Sequence, residues 1–240
     1  MPCFLIIGGL NGHSEALRSL PGIVRDLTPD GLLFAGGIFP EDATEVVRFV
    51  CECEYYTEQG AVFMDRFFAT LGSLGIFSAV IPGVFDAPLD EFLTRGMAAE
   101  RRHPELHIVH VTPAQKGDVA IFGLGGCISD QTSTNTGYYS RSLAQYYLRP
   151  LLTCKLPRKI LLVSDPPESW QGELGDQRLA DALIAAYHPE VCVAGRRSVK
   201  NPIERIGETL LVHPGDFSAG SAAWLDLDLP MDDRAKLLHF

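Results

Sequence analysis

The chain has 240 residues, of which 46% are hydrophobic and 21% are charged, and its formal net charge is −10. This acidic balance argues against a nucleic-acid-coating protein, because phosphate binding depends on clustered Lys and Arg. It also provides no polybasic run for an anionic membrane surface. Ordinary hydrophobicity and low repetition exclude disordered and fibrous proteins. We expect a soluble, acidic, globular protein.

The amino-terminal segment predicts a cytoplasmic location. The first strand-like run, Cys3 to Ile7, begins almost at the initiator Met and leaves no room for a signal peptide. No apolar run approaches the ~18 residues that span a bilayer. The six cysteines are scattered, mostly within apolar runs, and do not indicate a disulfide scaffold. Cys51 and Cys53 form a close pair, but no second pair completes a four-ligand zinc site.

Apolar runs alternate with amphipathic stretches in the first half of the chain, which predicts an α/β fold with largely parallel strands. The strands predicted here are Cys3–Gly8, Gly31–Ala35 and Ile76–Ile81. The predicted helices are Ser14–Leu20, a long helix that opens at Pro40 and reaches Cys53, Val62–Leu71 and Leu89–Arg102.

The second half repeats this pattern. Helices are predicted at Tyr138–Leu152 and Asp176–Tyr187. Strands are predicted at Leu106–Val111, Val119–Gly123, Ile160–Val163, Val191–Ala194, Thr209–Val212 and Ala222–Leu227. The last two strands have no helix between them, which predicts a mixed sheet or a second sheet. Without a linker or an internal repeat, residues 1–240 are predicted to form a single domain.

Glycine follows nearly every predicted strand, at the ends where open α/β sheets collect ligands. The pattern favours a pocket there, because glycine lets backbone segments approach closely. Gly8-Gly9-x-x-Gly12 and Gly123-x-Gly125-Gly126 both fail the G-x-G-x-x-G pattern, and the second strand does not end in an acid. A dinucleotide site is therefore not predicted.

The order, spacing and flanks of these loops resemble those of the calcineurin-like metallophosphoesterases, whose five loops read roughly D-x-H, G-D, G-N-H-D, H-x-P-P and G-H-x-H. The similar segments are Ile6–Leu17, Leu32–Phe39, Val80–Asp86, Ile160–Pro167 and Val191–Ser198. The resemblance covers nearly the whole chain. It implies a four-layer αββα sandwich, in which two mixed β-sheets are flanked by helices.

The resemblance also implies two metal ions held by loop side chains, and here the sequence departs from the family pattern. Gly9 and Asn11 stand at the first-loop Asp and His positions, and Gly37 replaces the second-loop Asp that bridges the metals. Glycine offers a metal no side-chain donor. The first two loops are therefore expected to be poor in ligands.

The remaining loops depart in the same way. Val84 and Phe85 replace the third-loop Asn and catalytic His, so that Asp86 alone is retained there. Ser164 replaces the fourth-loop His. In the fifth loop, Arg196 and Ser198 stand where two His are expected, and the permanent charge of Arg196 opposes a bound cation.

The sequence therefore predicts a catalytically inactive protein of this fold, without a cofactor, that acts by binding as a scaffold or regulatory protein. The vestigial pocket is predicted to be lined by the strand-end residues Gly9, Asn11, His13, Gly37, Val84, Phe85, Asp86, Ser164, Asp165, Arg196, Arg197 and Ser198. The expected partner is a protein, by analogy with scaffolds of this fold that have lost their metal ligands. The tyrosine pairs at 55–56, 138–139 and 146–147 are either interface residues or half-packed on the core.

Two other interpretations stay open at this stage, and a third is not favoured. A rebuilt manganese or zinc site would use His13, Asp86, Asp165 and His213. A metal-free sensor would bind a phosphate-bearing small ligand through Arg196 and Arg197, unless these arginines pair with acids such as Asp165 or Glu204. A Ser164, His13 and Asp86 catalytic set lacks the G-x-S-x-G turn that presents a nucleophile.

Overall fold

A computed structural model of the chain describes residues 2–40, 54–84, 86, 89–128, 138–164, 182, 184–195 and 201–240. The helices that lie wholly within these ranges are α1 (Ser14–Leu27), α2 (Glu54–Ser73), α3 (Leu89–Glu100), α4 (Arg141–Leu148) and α5 (Pro150–Thr153), and residues 184–187 are also helical. The first seven strands are β1 (Cys3–Ile7), β2 (Gly31–Phe34), β3 (Phe77–Val80), β4 (Leu106–Ile108), β5 (Ala114–Lys116), β6 (Val119–Leu124) and β7 (Cys127–Ile128). The others are β8 (Tyr138–Tyr139), β9 (Arg158–Val163), β10 (Val191–Ala194), β11 (Ile203–Ile206), β12 (Thr209–Val212), β13 (Ser221–Asp226) and β14 (Ala235–His239).

Two six-stranded mixed sheets form the centre of the molecule. The first has the order β14-β13-β1-β2-β3-β4, in which β1 to β4 are parallel, β13 is antiparallel to β1, and β14 is antiparallel to β13. The second has the order β11-β12-β10-β9-β6-β5, with a parallel centre and one antiparallel strand at each edge. The parallel centres bring glycine-rich strand ends together at one edge of each sheet.

The burial pattern explains why the strand sequences are apolar on both faces. In β1, Phe4 and Ile6 face the second sheet, whereas Leu5 and Ile7 face the helices α1 to α3. The second sheet repeats this arrangement, because Ile121 faces the first sheet and Phe122 packs with α4 and α5. Each sheet is thus covered on both sides, as parallel sheets require. The layers follow the order helix, sheet, sheet, helix, which confirms the predicted fold class.

Three predicted helices differ from those observed, and one of them, Val62–Leu71, extends over Glu54–Ser73 as α2. The helix α1 continues through Pro21 to Leu27, because Leu17, Leu20 and Val24 form one buried stripe that spans the proline. The predicted helix Tyr138–Leu152 is divided instead into β8, α4 and α5. Ser140 caps α4, its side chain accepting a hydrogen bond from the Leu143 N–H at 3.4 Å, and Pro150 occupies the first turn of α5.

Some predicted features fall on residues that the structure does not describe. The helix that opens at Pro40, most of the helix Asp176–Tyr187 and the pair Cys51 and Cys53 lie outside the described residues. The described cysteines, which are Cys3, Cys127, Cys154 and Cys192, form no disulfide with one another. Among the helices described, none combines the length and the apolar character needed to cross a membrane.

Candidate functional site at the strand ends

The first glycine-rich loop lies directly on the second. The backbone N–H of Gly9 donates to the Gly36 carbonyl at 3.0 Å, and the Leu10 N–H donates to the Gly37 carbonyl at 2.7 Å. The Gly12 N–H continues the series to the Ile38 carbonyl, also at 2.7 Å. These bonds extend the pairing of β1 and β2 beyond the strand ends. The two loops therefore form a continuous backbone layer.

A third segment closes the other side of the first loop. The backbone N–H groups of Phe217 and Ser218 donate to the carbonyls of Gly8 and Gly9, at 2.9 and 3.0 Å. The Asn11 amide nitrogen lies 3.0 and 2.9 Å from the two carboxylate oxygens of Asp216. Asn11 holds this position with a left-handed φ of 48°, which Asn tolerates better than most residues. The Asn11 amide nitrogen, which also donates to the Ser218 hydroxyl at 3.2 Å, is thus held by Asp216 and Ser218.

The glycines at this edge approach more closely than any side chain permits. A Cβ on Gly37 would lie 3.0 Å from both the nitrogen and the Cα of Gly9, and Gly37 has a φ of +86°. A Cβ on Gly36 would lie 2.7 Å from the Gly83 Cα. A Cβ on Gly195 would lie only 1.8 Å from the Ala35 carbonyl oxygen. Backbone fills the space among these loops.

Asp86 is the acid that organises this backbone. Its carboxylate accepts hydrogen bonds from the N–H groups of Gly37, Phe39 and Gly83, at 3.0, 3.0 and 2.6 Å. The residue is buried. Burial raises the pKa of the carboxyl group, and the hydrogen bonds from these backbone amides oppose the rise. Asp86 therefore ties the third loop to the second.

Replacing Asp86 with Asn should destabilise the fold by about 3 kcal/mol, because an amide has only one acceptor oxygen and its NH2 group meets N–H donors. We expect the loss in a urea titration at neutral pH. The control is Asp26→Asn, because Asp26 is 72% exposed on α1 and pairs with the neighbouring Arg25. Equal unfolding free energies for the two variants would contradict this role of Asp86.

Ser164 and the histidines near this edge are also held by backbone. The Ser164 hydroxyl donates to the Pro82 carbonyl at 2.7 Å, which joins the second sheet to the first. The Nδ1 of His213 accepts from the Gly215 N–H at 3.0 Å. His13, in contrast, is exposed and precedes α1. The Ser164 hydroxyl is therefore bound to the Pro82 carbonyl and not to His13 or Asp86, so that the catalytic set that the sequence did not favour is not assembled.

A buried histidine and tyrosine lie beneath the end of β6. The Gly125 N–H donates to the Nδ1 of His110 at 3.1 Å, so that Nε2 carries the proton and faces the Tyr139 hydroxyl oxygen at 3.2 Å. Burial lowers the pKa of His110 to about 4 and raises the pKa of Tyr139 to about 12. Both groups are therefore neutral at physiological pH. Burial likewise lowers the pKa of His213 to about 4.

The structure separates the predicted site residues into three sets. Gly9 and Gly37 meet directly, and Gly37 is bound by Asp86. Val84 is half-buried in the turn before Asp86. Asn11 binds Asp216, and Ser164 binds the Pro82 carbonyl. Five predicted members lie outside the described residues: Phe85, Asp165, Arg196, Arg197 and Ser198.

No metal-binding group is assembled within the described ranges. There, no three residues among His, Cys, Asp and Glu are placed to hold an ion. His13, Asp86 and His213 accordingly do not form such a group, and the fourth residue of that hypothesis, Asp165, is not described. Carboxylate and amide groups that metals prefer are present, but they bind backbone N–H groups or each other.

The three tyrosines of these pairs whose side chains are described differ in burial. Tyr139 is buried against His110, and Tyr147 contacts it edge-on, with ring centroids 5.8 Å apart. Tyr146 is 59% exposed, and the Arg149 guanidinium lies 4.9 Å from its ring centroid. In the pair at 146–147, one ring is therefore packed and the other is exposed. The side chains of Tyr55, Tyr56 and Tyr138 are not described.

A family model described as metallophosphoesterase, calcineurin superfamily, matches residues 3–231. The chain belongs to this family. The protein TT1561 of Thermus thermophilus is 24% identical, with a TM-score of 0.81 and coverage of 99% of this chain and 98% of that one. A dimetal phosphatase from Danio rerio is 9% identical, with a TM-score of 0.64 and coverage of 93% and 92%. At these identities the similarity supports the fold. A search of curated proteins finds no match.

A metallophosphoesterase centre requires side-chain ligands for two metal ions. The positions assigned to the first- and second-loop Asp are Gly9 and Gly37, whose backbones are in contact. A side chain at Gly37 would need the space that Gly9 fills. Asn11, at the first-loop His position, is bound by Asp216, and Ser164 is bound by Pro82. Gly9 and Gly37 therefore supply no carboxylate to a two-metal centre, and this is where the residues present do not fit one.

Two residues that shape this site were not predicted from the sequence. Asp216 stands in the run His213-Pro214-Gly215-Asp216, where a D-x-S sequence is a signal for a capped turn. The structure shows this turn, with the Ser218 hydroxyl donating to Asp216 at 2.6 Å. His110 carries no sequence signal, because its partners Gly125 and Tyr139 are 15 and 29 residues away.

Proposed function

We propose that this metallophosphoesterase-fold protein is catalytically inactive and acts by binding, as a scaffold or regulatory protein. The observation that carries the proposal is the contact of Gly9 with Gly37 at the two positions where metal-binding carboxylates are expected. In the two-metal mechanism the ions activate the nucleophile and stabilise the developing charge. Glycine backbone supplies neither ligand nor space for them.

The polar side chains near this contact support the same proposal. Asp86 accepts three backbone hydrogen bonds, and Asp216 accepts from Asn11 and Ser218, so that both carboxylates already hold loop segments in place. Moving the Asp86 carboxylate away to reach a metal would leave the buried N–H groups of Gly37 and Phe39 without acceptors, at a cost of about 1–3 kcal/mol for each group. The arrangement favours a structural role for both acids.

The activity assay tests this proposal directly. With excess manganese or zinc, we expect no metal-dependent hydrolysis of p-nitrophenyl phosphate or bis(p-nitrophenyl) phosphate above that of heat-denatured protein. The variant Gly37→Asp should gain no activity, because its Cβ would meet Gly9. Metal-dependent turnover by the wild-type chain would overturn the proposal.

An exposed surface on α4 and α5 supports a protein as the binding partner. Tyr146 is 59% exposed and Leu152 is 61% exposed, and Arg149 stacks on Tyr146. Aromatic residues and arginine are enriched at protein interfaces. A protein that co-purifies with the wild-type chain and is lost from a Tyr146→Ala, Leu152→Ser variant is the expected result. If no protein co-purifies in stoichiometric amount, the scaffold role is contradicted.

A further inference from the structure

The helices α4 and α5 cover the outer face of the second sheet, and their solvent side carries apolar and basic residues together. Seven large apolar side chains are exposed within the described residues, and three of them lie on these two short helices. The three apolar residues alternate with basic ones at intervals of three positions, a spacing that places helix neighbours on one side. We term this set the α4–α5 surface, and its members are Leu143, Tyr146, Arg149, Leu152 and Lys155.

The α4–α5 surface belongs to a part of the chain that has no acids. Residues 138–164 contain five Lys or Arg and no Asp or Glu, whereas the whole chain has a net charge of −10. Arg158 in this segment pairs with Glu190. In contrast, no ion pair joins Arg149 or Lys155 to a carboxylate within the described ranges. The surface therefore presents positive charge on an acidic protein.

Arg149 is held in place by the neighbouring ring. Its Cζ lies 4.9 Å from the centroid of the Tyr146 ring, in a cation–π contact. A guanidinium group that stacks on a ring through one face keeps the N–H donors at its edge available to a carboxylate. Because the stacking already restrains the Arg149 side chain, less conformational freedom is lost when a partner binds.

We propose that the α4–α5 surface binds an acidic segment of a partner protein that also carries an apolar side chain. This inference rests on the proposed binding function and specifies the chemistry of the partner. Carboxylates of the segment pair with Arg149 and Lys155, while its leucine or aromatic side chain packs on Leu143 and Leu152. Charge complementarity of this kind selects a partner and increases its rate of association.

The charges of the α4–α5 surface are less suited to two other occupants. A second copy that bound the same surface about a two-fold axis would bring Arg149 and Lys155 close to their own counterparts, and like charges repel. An anionic membrane would attract these two residues but repel a chain with a net charge of −10. Basic clusters that bind such membranes hold about 4–8 Lys or Arg.

Selection from a random peptide library displayed on phage, with the immobilised full chain as the target, tests this proposal. Peptides that also bind an Arg149→Glu, Leu152→Ser variant are removed first. The peptides that remain should be enriched in Asp and Glu beside Leu or aromatic residues. For one such peptide, measured by fluorescence anisotropy, Arg149→Glu should weaken binding by about tenfold or more. Replacing one acid of the peptide with Lys should restore part of that loss.

Two matched controls separate the α4–α5 surface from general effects of charge and exposure. Arg25→Glu reverses a charge at a side chain that is 79% exposed on α1, and Met97→Ser removes an apolar side chain that is 50% exposed on α3. Both should bind the selected peptide as the wild type does. If circular dichroism shows that Arg149→Glu is unfolded, Lys155→Glu replaces it, because Lys155 is exposed and follows the end of α5.

Four results would overturn the proposal. The first two are a selection in which no peptide distinguishes the wild type from the Arg149→Glu, Leu152→Ser variant, and one that enriches basic peptides. The third is flotation with phosphatidylserine vesicles that Arg149→Glu abolishes, which would assign the surface to a membrane. The fourth is a wild-type dimer in sedimentation that the double variant converts to a monomer. Catalytic inactivity is decided separately, because hydrolysis by the wild-type chain would leave peptide binding unchanged.

Discussion

The variant Gly195→Ala is expected to lose about 3 kcal/mol or more of unfolding free energy, and thus much of the stability of the domain. A Cβ at this position would lie 1.8 Å from the carbonyl oxygen of Ala35 and 2.5 Å from its carbonyl carbon. Both are backbone atoms, so a change of side-chain rotamer cannot relieve the clash. Since Ala35 follows β2 and Gly195 follows β10, the two sheets would have to separate at their carboxyl ends.

A urea titration at neutral pH measures this effect, and Gly22→Ala is its matched control. Gly22 lies within α1, and the nearest atom to its added Cβ is the Arg25 Nη2 at 3.9 Å. This substitution should raise the unfolding free energy by up to about 1 kcal/mol, because alanine favours the helix. If Gly195→Ala were as stable as the wild type, the close contact of the sheets would be contradicted.

Acid should destabilise the protein well above the pH at which its carboxylates titrate. His110 and His213 are buried, and burial lowers the pKa of each to about 4, whereas a histidine in the unfolded chain titrates near 6.5. Between these values the unfolded chain binds more protons than the native one. Stability is therefore full above about pH 6.5, falls as the pH drops towards 4, and loses about 3 kcal/mol for each histidine.

The measurement is the unfolding free energy from urea titrations at a series of pH values between 7 and 4. His213→Asn keeps an acceptor for the Gly215 N–H but cannot titrate, so it should remove about half of the acid loss. His13→Asn serves as the control, because His13 is exposed in the folded chain. An acid loss of the same size in His213→Asn and in wild type would contradict a buried neutral His213.

The fold was accessible from the sequence because its main signals are local. Apolar runs such as Val191–Ala194 match the observed strand, and the glycine at each strand end marks the edge where the loops meet. The order of the five loops then indicated the family and its two sheets. Short edge strands such as Ala114–Lys116 and Ile203–Ile206 escaped prediction, because half-exposed polar residues carry little hydrophobic pattern.

The candidate site was only partly accessible, because its contacts join distant residues. The sequence identified Gly9, Gly37 and Asp86 as site positions from the family pattern. It did not indicate that Gly9 and Gly37 touch, or that Asp86 binds backbone N–H groups 47 and 49 residues away. The same limit applies to Arg158, Glu190 and Arg234, which meet only after both sheets form.

Metal content after equilibrium dialysis against manganese and zinc is the measurement that tests the central proposal most directly. A metal-binding relative serves as the positive control, and metal is counted per chain after free ions are removed. We predict near-zero stoichiometry, because the backbone of Gly9 and Gly37 occupies the position of the expected ligands. Tightly held metal at one or two ions per chain would contradict the proposal, and Asp86 and His213 would then be the first residues to mutate.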